Sequence, residues 1–308
     1  MNIAITGSSG FIGKHLKKMI TEMNHSVITI SNNKNLSNFE NNFSYEDFFS
    51  GSINTKIDFI LHLASPNYDY SNDGSLKKGI TELTQKIISK MDIYDCKKII
   101  YFSSAKVYGE PALYEKSFHE LSDLNPMTDY GKEKANAEHI MQLCSASKDI
   151  SYLIYRMPMV YGPNMKSNIG NIVKIINESL PMASSAGTNN LKKSFLSIEN
   201  IKTCIKYNLE HPESVNNNIY NLSDNDVYSF DEFIMRYKII SNSKSYILRI
   251  PNFAFNIISV IPYINKYLIK LYGSFIIKND KINGIKGIKL INTIKGLTML
   301  IKHKKTIE

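Results

Sequence analysis

The chain has 308 residues, 43% of them hydrophobic, which is enough to bury a full core. Cys96, Cys144 and Cys204 lie far apart without a C-x-x-C pair, which excludes a disulfide framework and a zinc site. We therefore expect a cytoplasmic protein that holds no metal. We expect no signal peptide, since a basic n-region and a cleavage site are missing before the first apolar run, and no stretch reaches the roughly 20 apolar residues that span a bilayer.

The net charge of +9 lies in the C-terminal quarter, because residues 231–308 carry 14 Lys and Arg against 4 Asp and Glu. Two interpretations stay open. The charge is either a solvated lysine-rich face or a surface for phosphate-rich ligands and anionic membranes. Nucleic-acid binding is not predicted, since no recognised binding module accompanies the charge.

Short apolar runs alternate with longer amphipathic stretches along the chain. This alternation predicts βαβ units and a parallel sheet that is covered on both faces. The predicted strands are residues 3–5, 27–30, 59–63, 98–102, 151–157 and 218–222. The predicted helices are residues 11–23, 76–94, 129–147 and 169–179, and the region from residue 229 onward is predicted to be helical and basic.

Residues 6–13 read TGSSGFIG and join the first predicted strand to the first predicted helix. Gly7 permits a tight turn, Gly10 lets the backbone approach a pyrophosphate, and Gly13 lets the helix pack closely on the sheet. The helix N-terminus adds free N–H groups and a partial positive charge. The predicted cofactor contacts of this turn are Gly7, Ser9, Gly10, Phe11, Ile12 and Gly13.

The end of the second predicted strand bears on the choice of cofactor. An NAD-selective site places an acid about 20 residues after the glycines, where it binds the ribose 2′-OH. Here Ser31 stands at that position, and Lys34 is available for a 2′-phosphate unless it is an ordinary loop lysine. The sequence therefore favours NADP(H) over NAD(H).

A second constellation lies on the helix predicted at residues 129–147. Tyr130 and Lys134 are four residues apart and share one helix face. The ammonium, together with an oxidised nicotinamide, is expected to lower the tyrosine pKa from about 10. Ser104, which follows Ser103 at a strand end, is expected to hydrogen-bond the substrate oxygen with which Tyr130 exchanges a proton. His62 is expected to be a packed residue that is hydrogen-bonded to backbone.

Several segments in the expected order resemble the extended short-chain dehydrogenase/reductase family, in its nucleotide-sugar-modifying epimerase/dehydratase branch. They are TGSSGFIG (6–13), HLAS (62–65), FSSAKVYGE (102–110), YGKEK (130–134) and RMPMVYGP (156–163). A weaker similarity is found in KKSFLSIENI (192–201) and LYGSFIIKNDK (271–281). The resemblance implies that Ser104, Tyr130 and Lys134 form a catalytic triad. It implies further cofactor contacts at Leu63, Ala64, Tyr130, Lys134, Met157, Pro158 and Val160.

The expected fold class is α/β, with a Rossmann-type doubly wound parallel sheet and a smaller, mostly helical C-terminal lobe that binds substrate. The expected NAD(P)-binding domain comprises residues 1–162 with returning segments at about 194–227. The expected substrate lobe comprises residues 163–193 and 228–308. Family members commonly pair the helices predicted at 76–94 and 129–147, so a homodimer is expected.

Departures from the family pattern reduce the number of reactions that the chain is expected to catalyse. Sugar 4,6-dehydratases carry Asp-Glu directly after the strand-end hydroxyl, where this chain has Ala105 and Lys106, so dehydration is disfavoured. A C4 ketoreductase and a C4 epimerase use the same triad. The reductase is preferred because of Ser31, Lys106 and a likeness of MVYGPNMKSNIGNI (159–172) to reductases that make UDP-linked 6-deoxy-N-acetylhexosamines for bacterial surface polysaccharides.

The resemblance implies that the substrate is a nucleotide sugar, and a UDP-linked sugar is expected. The predicted substrate contacts are Ser104, Lys106, Lys166, Asn168 and Lys193, with Lys192 as an alternative to Lys193. Two alternative functions, from other functional classes, stay open. One is a non-catalytic, cofactor-sensing regulator, and the other is a membrane-surface enzyme that acts on a lipid-linked sugar diphosphate.

Overall fold

The computed structural model describes residues 1–31, 41–65, 79–165, 168–185, 191–250 and 261–305. The strands are β1 (Asn2–Thr6), β2 (Ser26–Ile30), β3 (Asn42–Phe43), β4 (Phe59–His62), β5 (Lys98–Ser104), β6 (Ser117–Phe118), β7 (Ser151–Met157), β8 (Met159–Tyr161), β9 (Met182–Ser185), β10 (Lys193–Ser197), β11 (Asn218–Asn221), β12 (Val227–Tyr228), β13 (Ile247–Ile250) and β14 (Ile276–Ile277). The helices are α1 (Phe11–Glu22), α2 (Tyr45–Ser50), α3 (Gly79–Lys90), α4 (Asp129–Ser147), α5 (Asn168–Asn177), α6 (Ile198–Glu210), α7 (Phe230–Ser241), α8 (Pro262–Tyr272), α9 (Asp280–Asn283) and α10 (Thr293–Lys305).

Seven strands form one sheet in the order β11-β7-β5-β4-β1-β2-β3. The pairings from β3 to β7 are all parallel. The chain adds strands on one side of β1 and then, from β4 onward, on the other side. The order therefore reverses between β1 and β4, and open α/β sheets bind ligands at the carboxyl ends of the strands at such a point. This confirms the predicted doubly wound sheet.

Local sequence explains why the elements of this sheet form where they do. The β1 residues Ile3 to Ile5 and the β5 residues Ile99 to Phe102 are unbroken buried runs, as expected for strands covered on both faces. The α4 helix begins where the Thr128 hydroxyl accepts a hydrogen bond from the Gly131 N–H at 3.2 Å. Its bounds are those predicted from the sequence. The start predicted for α3, at residue 76, lies outside the described residues.

The chain divides into two compact units. The first comprises residues 1–109, 123–157 and 204–220, and the second comprises residues 110–122, 158–203 and 221–308. This division differs from the expected boundaries, which placed 110–122, 158–162, 194–203 and 221–227 with the dinucleotide domain. The difference arises because short strands in these segments pair within the second unit.

The expected lobe at residues 163–193 and 228–308 is mostly helical where the structure describes it, as predicted, and the second unit also contains several short strands. The β10 strand pairs in parallel with β8 and antiparallel with β12. The β13 strand pairs with β9, and β14 pairs with β6. Helices α5, α7 and α10 contribute Ile176, Phe233 and Leu297 to a core that also holds Tyr161 and Phe195.

A buried carboxylate joins several segments of the second unit. Asp224 is 2% exposed. One of its oxygens accepts hydrogen bonds from the Ser197 N–H at 2.8 Å and Asn200 Nδ2 at 2.7 Å. The other accepts from the Tyr161 hydroxyl at 2.7 Å and the Thr293 hydroxyl at 3.1 Å. Burial raises the pKa of Asp224 to about 6, although these hydrogen bonds oppose the rise.

We expect Asp224→Ala to destabilise the protein by about 3 to 5 kcal/mol, because it leaves a buried donor at Ser197 without its acceptor and breaks a buried network. Urea unfolding followed by circular dichroism measures this effect. Asp280→Ala removes an exposed aspartate of the same unit and is expected to stay within about 0.5 kcal/mol of the parent. A similar urea midpoint of unfolding for Asp224→Ala and Asp280→Ala would contradict the stabilising role of Asp224.

In the part of the chain that the structure describes, no helix has the length and apolar character needed to cross a membrane. Within the same residues, no three His, Cys, Asp or Glu side chains are grouped so that they could hold a metal ion. All three cysteines are free thiols, with Cys96 and Cys204 buried.

Candidate active site

The glycine-rich turn follows β1 and leaves no space for side chains at two positions. Gly7 has a φ of +72°, and a Cβ there would lie 2.9 Å from the backbone N of Ala64. A Cβ on Gly13 would lie 2.4 Å from the Gly7 carbonyl oxygen and 2.7 Å from Ser8 Cα. The closest contacts of Gly13 are therefore with the backbone of the turn that follows β1, and the start of α1 packs directly on this turn.

The first turn of α1 suits an anion. Gly10 is its N-cap residue and makes no side-chain capping hydrogen bond, and the first turn contains no acidic residue. The Gly10 N–H donates to the Gly7 carbonyl oxygen at 3.0 Å, which fixes the turn. The N–H groups that begin α1 and the positive end of its dipole suit the phosphates of a dinucleotide. A backbone cradle that any Cβ would fill therefore fits the predicted cofactor.

A directional chain of hydrogen bonds supports the loop after β4. Thr84 donates its hydroxyl to the Ile80 carbonyl oxygen at 2.8 Å, so His62 Nε2 must donate to the Thr84 oxygen at 3.0 Å. His62 Nδ1 then accepts from the Thr6 hydroxyl at 2.8 Å, and the Thr6 oxygen accepts from the Ala64 N–H at 3.2 Å. The expectation of backbone partners for His62 is wrong, because both partners are hydroxyl groups.

Burial fixes the charge of this histidine as well as its tautomer. His62 is fully buried, and desolvation, with a smaller effect from the Lys134 ammonium, lowers its pKa to about 3. The ring is therefore neutral at physiological pH. Its role in the structure is to hold the Ala64 loop opposite the glycine-rich turn.

The predicted tyrosine, lysine and serine lie together at the carboxyl end of β5. The Tyr130 and Ser104 side chains are hydrogen-bonded to each other. Lys134 donates from Nζ to the Phe102 carbonyl oxygen at 2.8 Å. Its ammonium lies 4.6 Å from the centroid of the Tyr101 ring and 5.9 Å from that of the Tyr130 ring. The structure therefore brings together all three residues that the sequence analysis singled out.

The pKa shifts of this site differ from the expectation. Burial raises the pKa of Tyr130, and the Ser104 hydrogen bond opposes this only in part. Burial also lowers the pKa of Lys134 to about 7, while Glu138 acts in the opposite sense. The predicted lowering of the Tyr130 pKa is therefore not found in the protein alone, because desolvation of the phenolate by burial exceeds the opposing effect of the Ser104 hydrogen bond.

Other predicted contacts of the first unit lie at the carboxyl edge of the sheet or near it. Ser31 follows β2, and its N–H donates to the Phe43 carbonyl oxygen at 3.1 Å. Lys106 lies in the 3₁₀ turn after β5, where its N–H donates to Ser104 Oγ at 3.2 Å. Met157 is the buried last residue of β7. Lys34 lies outside the described residues.

The second unit contains the remaining predicted residues. Pro158 begins the 158–203 segment of this unit, and Val160 is paired with Leu196 of β10. Lys193 is 4% exposed and donates from Nζ to the carbonyl oxygens of Lys270 and Leu271, at 3.1 and 2.6 Å. These bonds give Lys193 a structural role that its sequence context did not indicate.

The other predicted substrate contacts of the second unit are less defined. Lys192 forms an ion pair with Glu232 at 2.6 Å. Asn168 begins α5, and its side chain lies outside the described part of the structure. Lys166 also lies outside it.

Sequence reasoning missed three buried polar residues behind the site, namely Ser103, Glu138 and Arg156. Ser103 and Arg156 are paired across β5 and β7, and Glu138 binds both. The available signal was the spacing of α4, because Glu138 follows Lys134 by the same four residues that separate Lys134 from Tyr130.

A doubly wound sheet with a glycine-rich turn and this tyrosine, lysine and serine set defines a nicotinamide-dependent oxidoreductase. The NAD dependent epimerase/dehydratase family matches residues 3–223, and the chain belongs to that family.

Two curated relatives and one solved structure illustrate the likeness. UDP-glucose 4-epimerase of Vibrio cholerae is 26% identical over 93% of this chain and 85% of its own length. N-acetyl-alpha-D-glucosaminyl-diphospho-ditrans,octacis-undecaprenol 4-epimerase of Escherichia coli O157:H7 is 26% identical over 81% of this chain and 75% of its own length. The structure of UDP-N-acetylglucosamine 4-epimerase from Bacillus cereus superposes with a TM-score of 0.79 at 18% identity, and the match covers 99% of each chain.

Proposed function

We propose that the protein is a 4-epimerase that inverts C4 of a UDP-linked sugar, with Tyr130 as the acid and base. The observation that carries this proposal is the hydrogen bond between Tyr130 and Ser104 next to the buried Lys134, at the carboxyl end of β5. The two curated relatives are 4-epimerases, and this likeness supports an epimerase over the reductase that the sequence favoured.

A bound nicotinamide would accept a hydride from C4 and, after the keto-sugar has turned over in the site, return it to the opposite face of that carbon. The protein's own residues handle the proton. Ionised Tyr130 accepts the proton of the C4 hydroxyl and later donates it to the carbonyl oxygen of the keto-sugar. Ser104 hydrogen-bonds the same oxygen and holds it within reach. The Lys134 ammonium stabilises the phenolate, since a positive charge nearby favours the negative form.

Reduction of a C4 ketone is the second candidate, because it needs the same three residues and a cofactor that exchanges with solvent. Ser31 supports it, since it occupies the place of the acid that selects NAD(H). The absence of that acid at position 31 also supports a preference for NADP(H). On this alternative the substrate is a UDP-linked 4-keto-6-deoxy-hexosamine, and the enzyme serves polysaccharide biosynthesis.

A dehydration reaction is not supported by the described residues around Ser104. Ala105 and Lys106 follow Ser104 in the 3₁₀ turn, so neither supplies a carboxyl group. Two nearby carboxylates of α4 are engaged elsewhere, since Glu133 accepts from the Thr81 N–H at 3.0 Å and Glu138 binds Arg156. An elimination requires a free acid and base pair.

Incubation of the purified protein with UDP-glucose, UDP-N-acetylglucosamine and a UDP-4-keto-6-deoxy-sugar, with and without NADPH, tests the proposal. We expect a C4 epimer to form from a hydroxyl sugar without added reductant, as seen by NMR of the product. Stoichiometric NADPH consumption on the ketone alone would instead establish the reductase. Cofactor binding with no turnover of these three sugars would contradict both UDP-sugar enzymes and leave the regulator and the enzyme of a lipid-linked sugar diphosphate as the remaining interpretations.

Several narrower proposals accompany this function. We propose that the first unit binds the cofactor and that the residues predicted from the sequence, Lys106, Lys166 and Asn168, contact the nucleotide sugar. A homodimer through α3 and α4 is proposed from the family resemblance, and the 57% exposed Leu143 lies on α4. Contact of the basic C-terminal region with an anionic membrane surface is proposed from its charge alone.

A further inference from the structure

Three successive residues at the end of β5 contact three residues of α4 that follow one another at intervals of four. The contacts are Ser104 with Tyr130, the Phe102 carbonyl oxygen with Lys134, and Ser103 with Glu138. Residues spaced by four lie above one another on a helix. The two contacts that involve the proposed catalytic residues are thus continued along the helix by a third contact, which lies deeper in the protein.

The third contact is a fully engaged, buried ion pair. Glu138 is 1% exposed and Arg156 is 4% exposed. The carboxylate accepts from the Ser103 hydroxyl, from Arg156 Nε at 3.0 Å and from Arg156 Nη2 at 2.7 Å. Arg156 Nη1 donates to the Tyr108 hydroxyl at 2.9 Å. The bidentate geometry leaves little freedom to either side chain.

We propose that Ser103 and Glu138 are positioning residues for the active site, which hold α4 at the depth where Tyr130 meets Ser104 and Lys134 meets the Phe102 carbonyl oxygen. This proposal rests on the proposed function, because it takes Tyr130 and Lys134 as the catalytic pair. Glu138 acts through two neighbours, the β5 strand and the Lys134 ammonium. A small displacement of an acid and base from its reacting atoms costs rate more than it costs binding.

Glu138 also acts on Lys134 through its charge. The titratable and charged groups that face this pair are Tyr130 on α4, His62 on β4, Tyr101 on β5, Tyr152 and Arg156 on β7, and Tyr108 in the 3₁₀ turn. For Lys134 itself, the Glu138 charge favours the protonated ammonium, and burial disfavours it. Loss of the Glu138 charge leaves two buried cations, Arg156 and Lys134, without a shared counterion, which disfavours protonation of the lysine.

The sign of the pH effect follows from these charges. The Lys134 pKa lies at about 7, so the ammonium is present below that pH and is lost as the pH rises through it. Glu138→Gln is expected to lower this pKa, because the Glu138 charge favours the ammonium. The active form needs ionised Tyr130 and protonated Lys134, and the Lys134 pKa is the lower of the two, so activity rises with pH and stops rising near the Lys134 pKa. This break in the activity profile should move to lower pH in Glu138→Gln. A purely structural role of Glu138 would reduce the amount of folded enzyme without moving the break.

The kinetic experiment compares Ser103→Ala and Glu138→Gln with the parent in kcat, KM and pH profile. We expect kcat to fall roughly 10- to 100-fold in both while KM changes less than about threefold. Only Glu138→Gln should move the pH at which activity stops rising, because Ser103→Ala keeps the ion pair. The matched control is Tyr155→Phe, which removes a buried 2.6 Å hydrogen bond to Asn208 in the same unit and should leave kcat unchanged.

A second measurement is independent of turnover. Lysine labelled with ¹³C at Cε allows the titration of Lys134 to be followed by NMR in the cofactor-free protein, with the signal assigned by Lys134→Arg. A lower Lys134 pKa in Glu138→Gln supports the proposal even if no sugar is turned over. An unchanged Lys134 pKa, or parental kcat in folded Ser103→Ala, overturns it. If Glu138→Gln does not fold, the kcat of Ser103→Ala decides.

Discussion

Replacing Tyr130 with phenylalanine is expected to lower kcat by roughly 10² to 10⁴-fold while the affinity for the nicotinamide cofactor changes little. The substitution removes the hydroxyl group that is hydrogen-bonded to Ser104 and keeps the ring beside the Lys134 ammonium. The packing of α4 on β5 through Phe102 and Lys134 stays in place. The loss therefore falls on proton transfer and leaves the glycine-rich turn untouched.

Steady-state kinetics and calorimetric titration with the cofactor measure the two quantities separately. Tyr94→Phe serves as the control, because it also removes a buried tyrosine hydroxyl of the first unit, whose 2.6 Å hydrogen bond is to the Phe48 carbonyl oxygen. It should retain parental kcat. Activity of Tyr130→Phe within tenfold of the parent would assign the proton transfer to another group.

The pH dependence of the same pair of proteins gives a further check. Because burial raises the pKa of Tyr130, the phenolate is populated only as the pH rises. Oxidation of the C4 hydroxyl by the parent should therefore accelerate with pH until Lys134 loses its proton. The residual activity of Tyr130→Phe should lack this rising limb, since no phenol is left to ionise.

The fold of the first unit could be predicted because its signals are local. The glycine-rich turn and the unbroken apolar runs of β1 and β5 specify their structure within a few residues, and α4 carries its own cap at Thr128. The strands of the second unit carry no such signal. Strands as short as β6 and β14 have two residues each, and they pair between Ser117 and Ile276, which are far apart in the chain. Only tertiary packing determines such pairs.

The candidate site could be located from spacing, but its electrostatics could not. Tyr130 and Lys134 share a helix face because of their separation, and this requires no knowledge of the environment. The direction of a pKa shift depends on burial, and a motif does not show how completely Lys134 is withdrawn from water. The same limitation hid Glu138, which looks like a surface residue of a polar helix and is in fact 1% exposed.

Replacing Gly13 with alanine is expected to weaken cofactor binding by roughly 10- to 100-fold while the protein stays folded. The new Cβ would lie 2.4 Å from the Gly7 carbonyl oxygen and 2.7 Å from Ser8 Cα. Both are backbone atoms, so neither can rotate away as the end of a side chain can. The turn must open, and the N–H groups that begin α1 then move from the positions that suit a pyrophosphate.

Calorimetric titration with NADH and NADPH, alongside circular dichroism, separates loss of binding from loss of fold. Gly284→Ala is the matched control, because its φ is −71° and a Cβ there would meet the nearest atom at an ordinary 3.4 Å. Gly7→Ala should resemble Gly13→Ala, since a φ of +72° and the Ala64 backbone at 2.9 Å both oppose a side chain. Parental cofactor affinity in folded Gly13→Ala would show that the phosphates bind away from this turn, and the placement of the cofactor at the reversal between β1 and β4 would then be wrong.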